Sequence, residues 1–84
     1  MMIDMQQLGM RVRQARRRVR LRQGVLAEKA GIDAGNLSEI EHGHKPSARI
    51  ETIASLADAL QVSTDYLLGF TDDPTPRWSR QEMF

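Results

Sequence analysis

Eighty-four residues with 27% charged side chains, no cysteine and a net charge of +1 allow one domain built around one core. Without cysteine there is neither a disulfide framework nor a thiolate metal site, so packing must supply stability, and a reducing cytoplasm suits such a chain. The longest apolar stretches fall far short of the roughly 20 residues a membrane-spanning helix needs. Residues 1–7 carry an acid and amides where a secretory signal needs basic residues ahead of an apolar run. Neither membrane insertion nor export is expected.

The charges are sorted along the chain. Residues 11–30 carry seven arginines and Lys29 against the single acid Glu28, whereas residues 31–84 are net acidic. Such a molecule can turn one face to a polyanion and keep the other away from it.

Met5, Leu8, Val12, Ala15 and Val19 recur at alternating steps of three and four, the stripe of an amphipathic helix that Asp4 can cap. A short second helix follows, with Leu26 and Ala30 on one face and Gly31 as its stop. Its start is weak, because Arg22 stands where a Ser, Thr or Asp cap is usual and Gly24 falls in the first turn. Asp33 caps a third helix over residues 34–42, with Leu37 and Ile40 inward and Gly43 behind it. Pro46 holds the next segment out of helix, and Ser47 is placed to cap a fourth helix over residues 48–60, striped by Ile50, Ile53, Leu56, Ala57 and Leu60. Ser63 caps a last short helix, residues 64–68, which Gly69 ends. This reading is all-α with five helices. From Thr71 the two aspartates and two prolines read as a linker outside the core, with a capping-box pattern in Ser79-Arg80-Gln81-Glu82.

Residues 23–42 thus form a short helix, a glycine-containing turn and a second short helix, the layout of a helix-turn-helix. Three blocks in order sharpen this: Leu26-Ala27-Glu28-Lys29-Ala30-Gly31-Ile32, Asn36-Leu37-Ser38-Glu39-Ile40-Glu41-His42-Gly43, and residues 56–69 from Leu56-Ala57-Asp58 to Tyr66-Leu67-Leu68-Gly69. Together they resemble the Cro/CI-type (Xre) family over roughly residues 8–69. The resemblance implies a five-helix lambda-repressor-like DNA-binding domain over residues 5–69 and a short tail over residues 70–84 that is a linker or dimer-associated. It implies a bacterial or phage-encoded, cytoplasmic regulator, a repressor in the first instance, that binds palindromic double-stranded DNA as a homodimer. No cofactor, metal, small-molecule ligand or membrane partner goes with it, and no enzyme activity.

Carried over residue by residue, the resemblance makes Gln23 a phosphate anchor and Arg16 with Glu41 a structural ion pair between the first and third helices. Base reading falls to Ala34, Gly35, Asn36 and Glu39. Of these, Ala34 can touch a thymine methyl, Asn36 can pair with an adenine edge, and Glu39 can accept from cytosine but is repelled by phosphate. That is thin direct readout, which leaves room for recognition through DNA shape. Arg22, Ser38, His42, His44 and Lys45 occupy places where backbone contacts fix register. Which of Arg13, Arg17 and Arg20 meets phosphate depends on docking. Leu67, Leu68, Phe70 and Trp78 are the expected dimer contacts, being apolar groups beyond the last core helix.

Two rival readings remain in view. The His42-x-His44 spacing hints at metal, but further ligands are missing. A module gripping protein or RNA would fit the bare Ala34-Gly35 surface. Phage repressor, restriction-modification controller, antitoxin and free-standing host regulator all share this core.

Overall fold

The structure is a computed structural model and describes residues 3–76. Five helices follow one another: α1 (Met5–Arg18), α2 (Gln23–Ala30), α3 (Ala34–Glu41), α4 (Ile50–Leu60) and α5 (Thr64–Leu68), with no strand among the described residues. Leu8, Val12 and Ala15 of α1 meet Leu26 of α2, Leu37 and Ile40 of α3, Leu56 and Leu60 of α4 and Leu67 of α5 in a single core. Each helix gives one stripe to this core, as the 3.6-residue period requires.

Local chemistry sets most of the boundaries. The Asp4 carboxylate accepts from the backbone N–H groups of Gln6 and Gln7, Asp33 from that of Asn36, and the Ser63 hydroxyl from that of Tyr66. Each satisfies donors that a helix start leaves without an intrahelical partner. Gly31 and Gly69 end α2 and α5 in the left-handed region, at φ 69° and 88°. Arg22 precedes α2 without a side-chain cap, as its weak entry suggests.

Three local expectations change. Ser47 caps nothing, because α4 begins at Ile50 after Arg49, which itself makes no capping bond. Ile50, placed by its spacing on the core stripe, is 81% exposed. It is the first residue of the helix and has no partner element beneath it. Val19 is likewise exposed, because α1 stops at Arg18 and the chain turns before Val19 completes the stripe.

The segment after Gly69 also departs from a free linker. Arg11 is 9% exposed and lies in the angle between α1 and α5. Its guanidinium donates to the carbonyls of Tyr66 (2.6 Å) and Thr71 (2.5 Å), pairs with Asp72 (2.6 Å) and stacks 4.4 Å over the Tyr66 ring. The Ser63 N–H donates to the Pro74 carbonyl at 2.9 Å, and Pro76 is buried. The chain from Thr71 to Pro76 is therefore laid against the body, held in part by an arginine that donates to two backbone carbonyls and one carboxylate.

Gly9 lets α1 and α3 approach. A Cβ there would overlap the Ile40 carbonyl oxygen, whereas one on Gly24 would meet nothing within 4 Å. The same change should therefore have opposite signs at the two sites. Gly9→Ala is expected to lower stability by about 1–3 kcal/mol through overpacking, and Gly24→Ala to raise it by up to about 1 kcal/mol through reduced chain entropy. Urea unfolding midpoints check both, and shifts in one direction would contradict the close α1–α3 approach.

Candidate nucleic-acid interface

The α2–turn–α3 unit owes its angle to two devices. At the turn, Gly31 and Ile32 donate back to the carbonyls of Glu28 (3.2 Å) and Ala27 (2.9 Å), closing α2 while Asp33 opens α3. Behind the turn lies a polar clamp. Arg16 donates through Nε to Glu41 Oε2 at 2.7 Å and through Nη2 to Oε1 at 2.9 Å, while its Nη1 donates to the Leu21 carbonyl at 3.0 Å. Gln23 Nε2 adds a third donor to Glu41, at 3.2 Å. The Glu41 side chain is 1% exposed, so its charge sits where an unpartnered carboxylate would be costly, and all three bonds are needed. The hydrogen bond to Glu41 raises the Arg16 pKa, partial burial opposes it, and the charge of Glu41 adds to the rise, so Arg16 stays cationic.

With Leu37, Ile40 and Glu41 turned inward, α3 presents Ala34, Gly35, Ser38, Glu39 and His42 on its opposite side. This face is small-residue at its start and polar at its end. Glu39 is not a bare acid there, since Lys45 approaches it at 3.9 Å. The pair is exposed and adds little stability, but it offsets negative charge on a face expected to meet phosphate. His42 ends the helix, with Nδ1 2.7 Å from the Ser38 carbonyl oxygen and its ring stacked on that of His44 at 5.6 Å.

Asn36 stands apart from that row. It is half-buried on the flank of α3 and lines a groove of about 350 Å³ with Lys45, Ser47, Arg49 and Thr52. The groove brings Asn36 together with two cations, of which Arg49 was missed by sequence reasoning. The sequence pattern placed Arg49 inside a helix over residues 48–60, and only the start of α4 at Ile50 sets it in the groove wall. Arg22 is exposed at the entry to α2, beside Gln23. Arg17 and Arg20 are exposed and Arg13 is half-exposed. Arg11, part of the basic block of residues 11–30, belongs to the interior. Its position, three residues after Leu8 and four before Ala15, lies within the apolar stripe, and that was the signal to read.

The expected dimer contacts separate. Leu67 is wholly buried in the protomer core and cannot meet a partner. Leu68, beside it on the same five-residue helix, packs against the edge of that core. Leu68 is half-buried and Phe70 is 56% exposed. Trp78 lies outside the described residues.

A family model described as a helix-turn-helix domain matches residues 7–69 of the chain. The chain belongs to the helix-turn-helix proteins of the Cro/CI type. Over 75 residues it is 39% identical to YobD of Bacillus subtilis (strain 168), an uncharacterized HTH-type transcriptional regulator, a match covering 87% of this chain and 64% of YobD. This chain thus spans less than two thirds of that relative's length. The restriction-modification controller protein C.AhdI of Aeromonas hydrophila superposes with a TM-score of 0.72 at 30% identity, over 76% of this chain and 96% of C.AhdI. The P22 c2 repressor in complex with a synthetic operator superposes with a TM-score of 0.68 at 33% identity, over 73% of this chain and 91% of the repressor. The helix-turn-helix of this chain is therefore set in a five-helix lambda-repressor-like fold. No helix among the described residues is long and apolar enough to cross a membrane.

The Arg16–Glu41 clamp yields a direct test. Arg16→Met leaves a buried carboxylate with only Gln23 and should cost about 3–5 kcal/mol. Adding Glu41→Leu removes the stranded charge, so the double variant should be more stable than Arg16→Met alone. Chemical unfolding of wild type, both singles and the double measures this, and strictly additive losses would refute the coupling.

Proposed function

We propose that this protein is a sequence-specific DNA-binding regulator of transcription, a repressor, that docks α3 in the major groove of a two-fold operator as a homodimer. The observation that carries the reading is the outward face of α3. It has no large apolar residue to bury, yet the helix beneath it is held rigidly by Leu37, Ile40 and the Glu41 clamp. A rigid helix with an uncovered polar face, in a family whose P22 member is seen with an operator, is suited to enter a groove.

In this docking, Gln23 and Arg22 stand at the N-terminus of α2, whose free N–H groups favour a phosphate. Gln23 has one amide hydrogen engaged by Glu41 and a second for phosphate. Ala34, Gly35 and Glu39 face the base edges, and Asn36 reads from the flank with Lys45 and Arg49 close by. Ser38, His42, His44 and Lys45 complete the backbone contacts. Few of these side chains distinguish bases, so much of the specificity rests on DNA shape and on the fixed spacing between two half-sites.

The dimer surface is the corner where α5 ends. Phe70 and Leu68 lie there, and Gln7 of α1 packs against Gly69, which brings the exposed side chain of Met10, one turn further along α1, toward that corner. An apolar patch of this kind is what a second copy would cover.

Selection of bound duplexes from a random pool at two salt concentrations tests the reading. A palindromic motif with half-sites about one helical turn apart is expected, and recovery of no motif at either concentration would reject it. Gln23→Ala should weaken operator and random DNA alike, by about tenfold for a lost charge-assisted bond. Asn36→Ala should mainly reduce the preference for the selected site. Phe70→Glu should leave the fold intact and drive the protein to monomer in sedimentation, whereas a wild type that is already monomeric on DNA would remove the dimer.

A further inference from the structure

The His42 ring has a definite protonation pattern. Its Nδ1 lies 2.7 Å from the Ser38 carbonyl oxygen. A carbonyl only accepts, so Nδ1 carries the hydrogen. In the neutral ring Nε2 then holds a lone pair, and the residue is exposed at the end of the outward face of α3. A phosphate oxygen in its ionised form also only accepts. Neutral His42 therefore has no hydrogen to offer a DNA backbone from Nε2, and the opposite tautomer would offer one only by giving up the bond to Ser38.

We propose that His42 contacts a DNA phosphate only as an imidazolium, so that docking on DNA takes up a proton and affinity rises as pH falls through the histidine range. The inference rests on the docking mode above and adds its regulation.

The surroundings suit a ring that gains charge on binding. His42 caps the C-terminus of α3, where the helix carbonyls favour a cation. On its own helix and loop the titratable groups are Glu39 and Lys45, which pair with each other, and His44, whose ring is stacked 28° from parallel. The adjoining acid Glu41 is buried and held by Arg16. From α1, the neutral Gln6 meets Gly43, and Arg13 lies on the helical stripe of Gly9 and Arg16. An unperturbed histidine has a pKa of about 6.5. A bound phosphate supplies the opposite charge that favours the protonated ring.

The test is fluorescence anisotropy with a labelled random-sequence duplex from about pH 5.5 to 8.0 at constant ionic strength, across the range where histidine titrates. Random DNA suffices because the contact is to the backbone. Wild-type affinity should rise about tenfold between pH 7.5 and 5.5. His42→Gln should flatten this to less than about twofold, and His44→Gln should keep most of it. At low pH, His42→Gln should also reduce the slope of log affinity against log salt by about 0.9, one phosphate contact, and leave it unchanged at high pH. Binding at high pH with no rise on acidification would overturn this inference and spare the docking mode. A rise that survives His42→Gln and vanishes in His44→Gln would overturn it too. Absence of duplex binding at every pH would reject both. Thermal melts of each variant confirm that the exposed substitutions leave the fold intact.

Discussion

The buried carboxylate of Glu41 is the constraint around which the rest is arranged. A charge with 1% of its side chain exposed must be fully partnered or it destabilises the fold. Its partners come from two other places in the chain, Arg16 on α1 and Gln23 at the start of α2. Arg16 is tied in turn to the Leu21 carbonyl in the connection between them. One acid at the end of α3 thereby fixes α1, the α1–α2 turn and the entry of α2. Gly9 is the steric counterpart, since only a residue without a side chain lets α1 lie close enough to α3 for the arginine to reach.

This arrangement explains a division of labour within the chain. The residues that fix orientation are inside or half-inside and are chemically demanding: an arginine for its fork, a carboxylate, an amide and a glycine. The outward face of α3 is undemanding by comparison. Ala34, Gly35 and Ser38 can change with little effect on the fold because nothing in the fold packs on them. The scaffold of such a module can persist while the residues aimed at DNA vary, which is how one fold comes to serve different sites.

The same division decides how much could be read without coordinates. Core positions repeat at the helical period and the caps Asp4, Asp33 and Ser63 are local chemistry, so the five helices were legible, as was the resemblance that places Arg16 opposite Glu41. Helix ends were legible only where a local group sets them. Ser47 is chemically able to cap, yet the chain remains non-helical until Ile50, and nothing in the pattern says that Ile50 lacks a neighbour. Composition misread residues 71–76, because prolines and aspartates describe a segment without a stripe but say nothing of a buried arginine that binds the Thr71 carbonyl and the Asp72 carboxylate. In the site, residue types were legible but not their directions. Asn36 looks like a member of the reading row until the 100° step per residue is followed to the flank beside Ile40. Leu67 and Leu68 are adjacent letters about 100° apart on the helix, and only packing decides which one is fully buried.

Charge completes the argument. The basic block of residues 11–30 looks like a continuous phosphate-binding surface, but Arg11 and Arg16 are both withdrawn into structural bonds. What remains exposed or half-exposed is a smaller set at the end of α1, joined by Arg22, Lys45 and Arg49 around the helix-turn-helix. Lys45 is already shared with Glu39, so the fixed charges at the end of α3 nearly cancel. Where the fixed charges nearly cancel, one proton on an imidazole is a large fractional change in the local field. The weakness of this surface as a permanent phosphate site is therefore what makes its histidines consequential.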